Sequence, residues 1–113
     1  MFRHFNADQE MGTQMHDAID ARKAVLEEVR QGLKDGATTF GEAIRQLRTK
    51  VTGLSQADFA RACKLSLRTV RQLEQDEGNP TVATLNSVFR PFGMRVGIVN
   101  SPRFPLKPYV EKG

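Results

Sequence analysis

The chain holds a single cysteine, Cys63, among its 113 residues. One thiol excludes an internal disulfide and a cysteine-based zinc site. No apolar run approaches the roughly 20 residues that a membrane-crossing helix needs. The first residues, Met1 to Met11, are polar and carry no apolar core of a secretory signal. No membrane partner is therefore expected, and the expected compartment is the cytoplasm. Chemistry-bearing patterns are scarce as well. No glycine-rich phosphate loop is present, and neither His4 nor His16 pairs with a carboxylate at metal-ligand spacing. The carboxylates fall on solvent faces of the expected helices. No catalytic residue, metal ligand or cofactor is expected, and the chain reads as a non-enzyme.

What is present is a globular composition, 39% hydrophobic and 27% charged. A domain of this length buries about two-thirds of its unfolded surface and folds without staples. The pI near 9.6 and net charge of +4 are compatible with a nucleic-acid partner. The charge is segregated. Residues 1–38 hold 5 Lys/Arg and 7 Asp/Glu, residues 39–92 hold 8 and 5, and residues 93–113 hold 4 and 1. Lys64, Arg68 and Arg71 stand within a run that contains no acid.

Hydrophobic periodicity divides the chain into elements. Residues 1–12 are polar and expected to fray. Met15, Ile19, Leu26, Val29 and Leu33 then recur at helical spacing and predict a helix over 14–35, with Gly36 as its stop. Thr39 and Glu42 form a capping box. Phe40, Ala43, Ile44, Leu47 and Val51 follow as the inward face of a helix over 40–50, which Thr52-Gly53 breaks. Ser55 caps a short helix over 56–62 with Phe59, Ala60 and Cys63 apolar. Lys64-Leu65 is the only connector before Ser66 caps a helix over 67–75, with Val70 and Leu73 inward. The stretch 76–80 is a loop signal. Thr81 caps a last helix in which Val82, Leu85, Val88 and Phe89 face the core, and which Pro91 and Gly93 end. From Met94 the period becomes two, and 94–99 reads as a strand. Its backbone has no partner within the chain and would pair with another. Pro102, Pro105 and Pro108 recur every third residue, which suits an extended arm.

Two short helices joined by a tight turn have the dimensions of a DNA-binding helix-turn-helix. Small or apolar residues stand where the helices would cross: Ala60, Cys63, Leu65, Val70 and Leu73. The second helix offers Ser66, Leu67, Arg68, Thr69, Arg71 and Gln72 to a major groove. Ser55-Gln56 and Ser66 lie at helix N-termini, where free N–H groups and the dipole attract phosphate.

The runs Leu54-Ser55-Gln56-Ala57-Asp58-Phe59-Ala60, Ser66-Leu67-Arg68-Thr69-Val70-Arg71-Gln72-Leu73-Glu74 and Pro80-Thr81-Val82-Ala83-Thr84-Leu85 resemble the Xre, Cro and phage-repressor family over about residues 40–93. The resemblance implies that Gln56 meets a phosphate and a base edge, and that Leu67, Arg68 and Gln72 read bases. Arginine bonds guanine bidentately, glutamine suits adenine, and leucine packs on a thymine methyl. Ser66 and Thr69 would touch backbone or a methyl, and Arg71 a phosphate. Glu74 would pair with an arginine on the preceding helix, with Arg48 best placed. Three features depart from the family. Lys64 stands where glycine is common, and a left-handed lysine costs about 1–2 kcal/mol; either the turn differs or the lysine is kept for a phosphate. The loop 76–79 is acidic. The segment Thr49 to Gly53 is one residue longer than the common pattern.

The resemblance implies an all-α, lambda-repressor-like helix-turn-helix domain with an extra N-terminal helix and one C-terminal β-strand for dimerisation. The expected organisation is a helical extension over 1–38, a DNA-binding domain over 39–93, a dimerisation strand over 94–99 and a Pro-rich tail over 100–113. The strand in place of a fifth helix is similar to Hip-type antitoxins, and the N-terminal helix to Hig-like ones. The implied function is sequence-specific repression by a homodimer on a palindromic operator, as the antitoxin of a toxin–antitoxin pair. A stand-alone regulator of the same family and a protein-interaction module with weak DNA binding remain as alternatives. The expected DNA-binding residues are Ser55, Gln56, Lys64, Ser66, Leu67, Arg68, Thr69, Arg71 and Gln72. The expected dimerisation residues are Met94, Val96 and Ile98. Double-stranded DNA, a second copy and a toxin protein are the expected partners.

Overall fold

The computed structural model describes residues 7–100, with side chains from residue 16 onward. The Pro-rich tail expected beyond residue 100 lies outside the described residues. Five α-helices follow in order: α1 (Ala7–Asp35), α2 (Phe40–Gln46), α3 (Gln56–Cys63), α4 (Leu67–Glu74) and α5 (Val82–Phe89). A π-helical segment, Leu47–Thr52, continues α2, and a 3-10 turn, Arg90–Phe92, continues α5. Among the described residues no helix is long and apolar enough to cross a membrane.

The helix starts follow from local chemistry. Thr39, Ser55, Ser66 and Thr81 are extended N-caps whose side-chain oxygens accept from the backbone three residues on. The capping box is complete, because the Glu42 side chain also accepts from the Thr39 backbone N–H. Gly36 takes a left-handed conformation with φ 79° and stops α1 as expected.

The core is made of Ala43, Ile44 and Leu47 from the second helical segment, Phe59, Ala60 and Cys63 from α3, Val70 and Leu73 from α4, and Leu85, Val88 and Phe89 from α5. Val29 of α1 joins it at 1% exposure. Val25, Leu26 and Leu33 pack against the same cluster. Among the described side chains, α1 packs on the domain through its C-terminal half. Residues 16–24 are exposed throughout.

The segment expected to be one residue longer than the family pattern, Thr49 to Gly53, falls on the π-helix and its stop. Gly53 N donates to Arg48 O across five residues at 2.7 Å. Inserting one residue into an α-helix gives this wider turn. The Thr49 and Thr52 hydroxyls donate to the carbonyls four residues back, Arg45 O at 2.8 Å and Arg48 O at 2.5 Å. They occupy carbonyls at which the regular ladder is disturbed.

Several expectations are corrected. The expected β-strand is absent: residues 94–100 form no ladder, and no strand occurs among the described residues. The alternation holds only for its first two turns: Met94 and Val96 are half-buried while Arg95 and Gly97 are exposed, but Ile98, on the same face by period, is fully exposed. A ladder needs a second strand, and the described residues offer none. The segment is held instead by Met94 N donating to Phe89 O at 3.1 Å and Val96 N to Asn86 Oδ1 at 2.8 Å. The first helix begins at Ala7, inside the stretch expected to fray. Ile19 is 44% and Val82 58% exposed, so neither belongs to the core. Val82 occupies the first turn of α5, beyond the reach of the packed layer. The last helix does not run through Phe92 but tightens after Phe89.

Candidate nucleic-acid interface

The connector between α3 and α4 is as short as the sequence required. Lys64 adopts the left-handed conformation at φ 60°, ψ 41°, and its N–H bonds back to Ala60 and Arg61 carbonyls. The turn has not adjusted to the lysine; the lysine has taken the glycine conformation. Leu65 N then donates to Ala60 O at 2.8 Å. With α3 closed so tightly, Ser66 starts α4 at once.

On α4 at 100° per residue, Leu67, Arg71, Arg68 and Gln72 fall on one continuous arc of about 140°. Val70 and Leu73 stand opposite and are buried. Arg68 and Arg71 are exposed, and neither has an ion pair or side-chain hydrogen bond among the described residues. Leu67 and Gln72 are half-buried. Gln72 is not wholly free: its Oε1 lies 3.7 Å from where a side-chain carbon on Gly78 would stand. The loop after α4 thus rests beside its amide. Ser66 and Thr69 are tied to each other. Ser66 Oγ accepts from Thr69 N at 3.0 Å and donates to Thr69 Oγ1 at 2.8 Å.

The far end of α4 is anchored by Glu74. Arg48 Nε donates to its Oε2 at 2.5 Å and Arg48 Nη2 to its Oε1 at 3.0 Å, a bidentate pair. The two side chains are 14% and 5% exposed. Arg48 Nη1 reaches Leu54 O at 3.0 Å. The carboxylate beside it raises the arginine pKa further, so this guanidinium stays charged at every working pH. The Arg48–Glu74 pair expected from the resemblance is therefore formed. Gln56 Nε2 also donates to Glu74 Oε1, at 3.0 Å. This was not expected. The amide that the resemblance assigns to DNA spends one of its donors inside the protein.

Ser55 caps α3 through Asp58 N at 3.1 Å. Lys64 lines a cleft with Cys63, Ser87, Arg90 and Pro91. Cys63 is buried, and burial pushes its thiol pKa up, as a small core residue requires. Asp76 was read as an acid of the loop. It is a cap of α2: its Oδ1 accepts from Gly41 N at 2.8 Å and its Oδ2 from Thr39 Oγ1 at 2.8 Å. Only its place at a helix C-terminus marks it in the sequence, since its partners lie 35 and 37 residues away.

A tight α3–α4 turn, an outward polar arc on α4 and an internal Arg48–Glu74 anchor form one arrangement. Residues 44–97 match the family model described as helix-turn-helix. Over this segment the match supports a helix-turn-helix of the Xre/Cro-like family. Such a domain is a DNA-binding regulatory module of transcription regulators. Neither the curated proteins nor the solved structures provide a match to the chain. Within the helix-turn-helix, α4 is the recognition helix by position. The family match begins at Ile44 and so leaves α1 and the start of α2 outside it.

Proposed function

We propose that the chain is a transcriptional repressor that binds a palindromic operator as a homodimer. The observation that carries this reading is the recognition helix: Arg68 and Arg71 on its outward arc lack partners among the described residues, while Glu74 fixes its other end to Arg48. Arg68 reads a guanine edge, Gln72 an adenine edge, and Leu67 packs on a thymine methyl. Arg71 contacts phosphate. The N–H groups at the starts of α3 and α4, shaped by Ser55 and Ser66, face the phosphates on either side. Gln56 contributes through its carbonyl side or by holding α3 to Glu74. Two copies place their recognition helices about 34 Å apart in successive major grooves, and the bound dimer occludes a promoter.

Of the three dimerisation candidates, Met94 and Val96 rest partly on their own core, whereas Ile98 is fully exposed. Ile98 is the residue left to meet a second copy. The antitoxin role is supported by the extra N-terminal helix, which is similar to Hig-like regulators; the strand that carried the Hip-type resemblance is absent among the described residues. It predicts that an adjacent gene encodes a growth-arresting protein that this chain relieves on co-expression. No relief and no complex would leave a stand-alone regulator.

The direct test is selection of bound duplexes from a random pool at several salt concentrations. An enriched inverted repeat is expected, with affinity falling by orders of magnitude between about 50 and 200 mM salt. Arg68→Ala should cost about 1–3 kcal/mol and relax the preference at one base pair. Equal loss on every sequence would reduce Arg68 to a phosphate contact. No enrichment by a folded chain would overturn the reading.

A further inference from the structure

The recognition helix ends on a residue that strains the backbone. Gln75 is the C-cap of α4, and Asp76 after it is left-handed at φ 55°. Glu77 N donates to Gln72 O at 2.8 Å and Asp76 N to Leu73 O at 3.1 Å, the paired bonds of a Schellman closure. Glycine fills the left-handed place of that motif without a Cβ penalty. Gly36 fills it after α1, where Ala37 N donates to Gly32 O at 2.9 Å. After α4 the chain places a carboxylate there instead, and that carboxylate holds α2. Its Oδ1 accepts from Gly41 N and its Oδ2 from Thr39 Oγ1, both at 2.8 Å. Two residues earlier, Glu74 holds Arg48 on the π-helical continuation of the same rod. The end of α4 is thus fastened at two points, Gly41 and Arg48, which stand about 10 Å apart along a helical axis.

The fastened loop returns to the recognition surface. Gly78 stands beside the Gln72 side chain: a carbon added to it would lie 3.7 Å from Gln72 Oε1 and 3.9 Å from Gln72 Cδ. Glu77, between Asp76 and Gly78, is bonded to the Gln72 carbonyl. The amide that faces a base is therefore flanked on one side by a loop whose position the Asp76 carboxylate fixes. We propose that Asp76 is a positioning residue for sequence recognition. By tying the loop to α2 it holds Gly78 against the Gln72 amide and sets the aim of that amide at its base pair. Arg68, one turn earlier on α4, is not aimed by this tie. The proposal rests on the DNA-binding reading above and adds to it a residue that acts through Gln72. It also accounts for an aspartate where glycine would end the helix at lower strain.

Asp76→Gly separates the tie from the turn, because glycine keeps the left-handed closure and removes only the carboxylate. Asp76→Asn keeps an acceptor for Gly41 N and offers a donor to Thr39 Oγ1. The experiment is competition between the selected operator and its single-base variants for the full chain, with circular dichroism giving the folded fraction. Gln72→Ala identifies the base pair that Gln72 reads. Asp76→Gly should reduce the preference at that pair about fivefold or more and leave the preference set by Arg68 within about twofold. Asp76→Asn should keep both. On a Gln72→Ala background Asp76→Gly should change nothing further at that pair, since the two act through one contact. An unaltered preference in Asp76→Gly would overturn the positioning role. So would an equal loss on every sequence, the signature of a tie that only stabilises the fold. If Gln72→Ala shifts no preference, Asp76 has nothing to aim and the proposal falls while the operator reading stands. A wild-type chain that selects no sequence would overturn both readings.

Discussion

Glu74 accepts from Arg48 Nε, Arg48 Nη2 and Gln56 Nε2 while showing 5% of its side chain to water. Removing such a carboxylate costs more than its own bonds, because the guanidinium it served stays charged and largely enclosed. Glu74→Ala should lower stability by about 2–3 kcal/mol in denaturant unfolding. A loss below about 0.5 kcal/mol would show that water reaches Arg48 freely. Lys64 predicts a change of opposite sign. Its left-handed conformation is one that glycine adopts without a Cβ penalty. Lys64→Gly should raise stability by about 0.5–1 kcal/mol, the strain relieved less the entropy glycine loses on folding. Because Lys64 lines the cleft with Arg90, operator affinity should stay unchanged. A drop in the salt dependence of binding would instead assign it a phosphate. Cys63 gives a pH dependence. Burial raises its thiol pKa in the folded state, so the unfolded chain ionises first as pH rises. Its neutral form supports the fold fully below the ordinary thiol value, and stability should decline only in alkaline solution above it. Unfolding curves that improve with rising alkalinity would contradict the assignment.

At the scale of elements, what was legible in the sequence was local. Thr39, Ser55, Ser66 and Thr81 each cap a helix through a bond three residues long, and such bonds are written in the order of residues. The Arg48–Glu74 pair spans 26 residues and was anticipated only through the family resemblance. The bonds that no pattern announced join distant segments. Asp76 reaches α2 from beyond the recognition helix, and Gln56 turns inward to Glu74. The alternation of Met94 and Val96 correctly marked a face, but a period of two records which side chains point inward and says nothing of a partner for the backbone. The α2–α4 junction yields a sharp prediction. A Cβ on Gly41 would stand 2.7 Å from Leu73 O and 2.7 Å from Asp76 Oδ2, so α2 and the end of α4 approach too closely for alanine. Gly41→Ala should destabilise by about 1–3 kcal/mol, the usual cost of overpacking. Asp76→Ala removes a cap and leaves Gly41 N without its acceptor, at a cost of about 1–2 kcal/mol. If the two act through the same contact, their losses should combine less than additively in a double-mutant cycle.

Across the whole molecule, α1 divides into two halves of different status. Its 29 residues make a rod of about 43 Å. The stretch from Val25 to Leu33 contributes Val29 to the core and lays Val25, Leu26 and Leu33 against it. From His16 to Ala24 the same helix touches no core. Isolated helices of this length are marginal in water, since packing of an apolar face supplies most helical stability in proteins. The two halves should therefore separate in amide hydrogen exchange. In solution, amides of residues 16–24 should exchange orders of magnitude faster than those of 29–33, which open only with the domain. Uniform protection along α1 would mean that the overhang is stable without packing against a core.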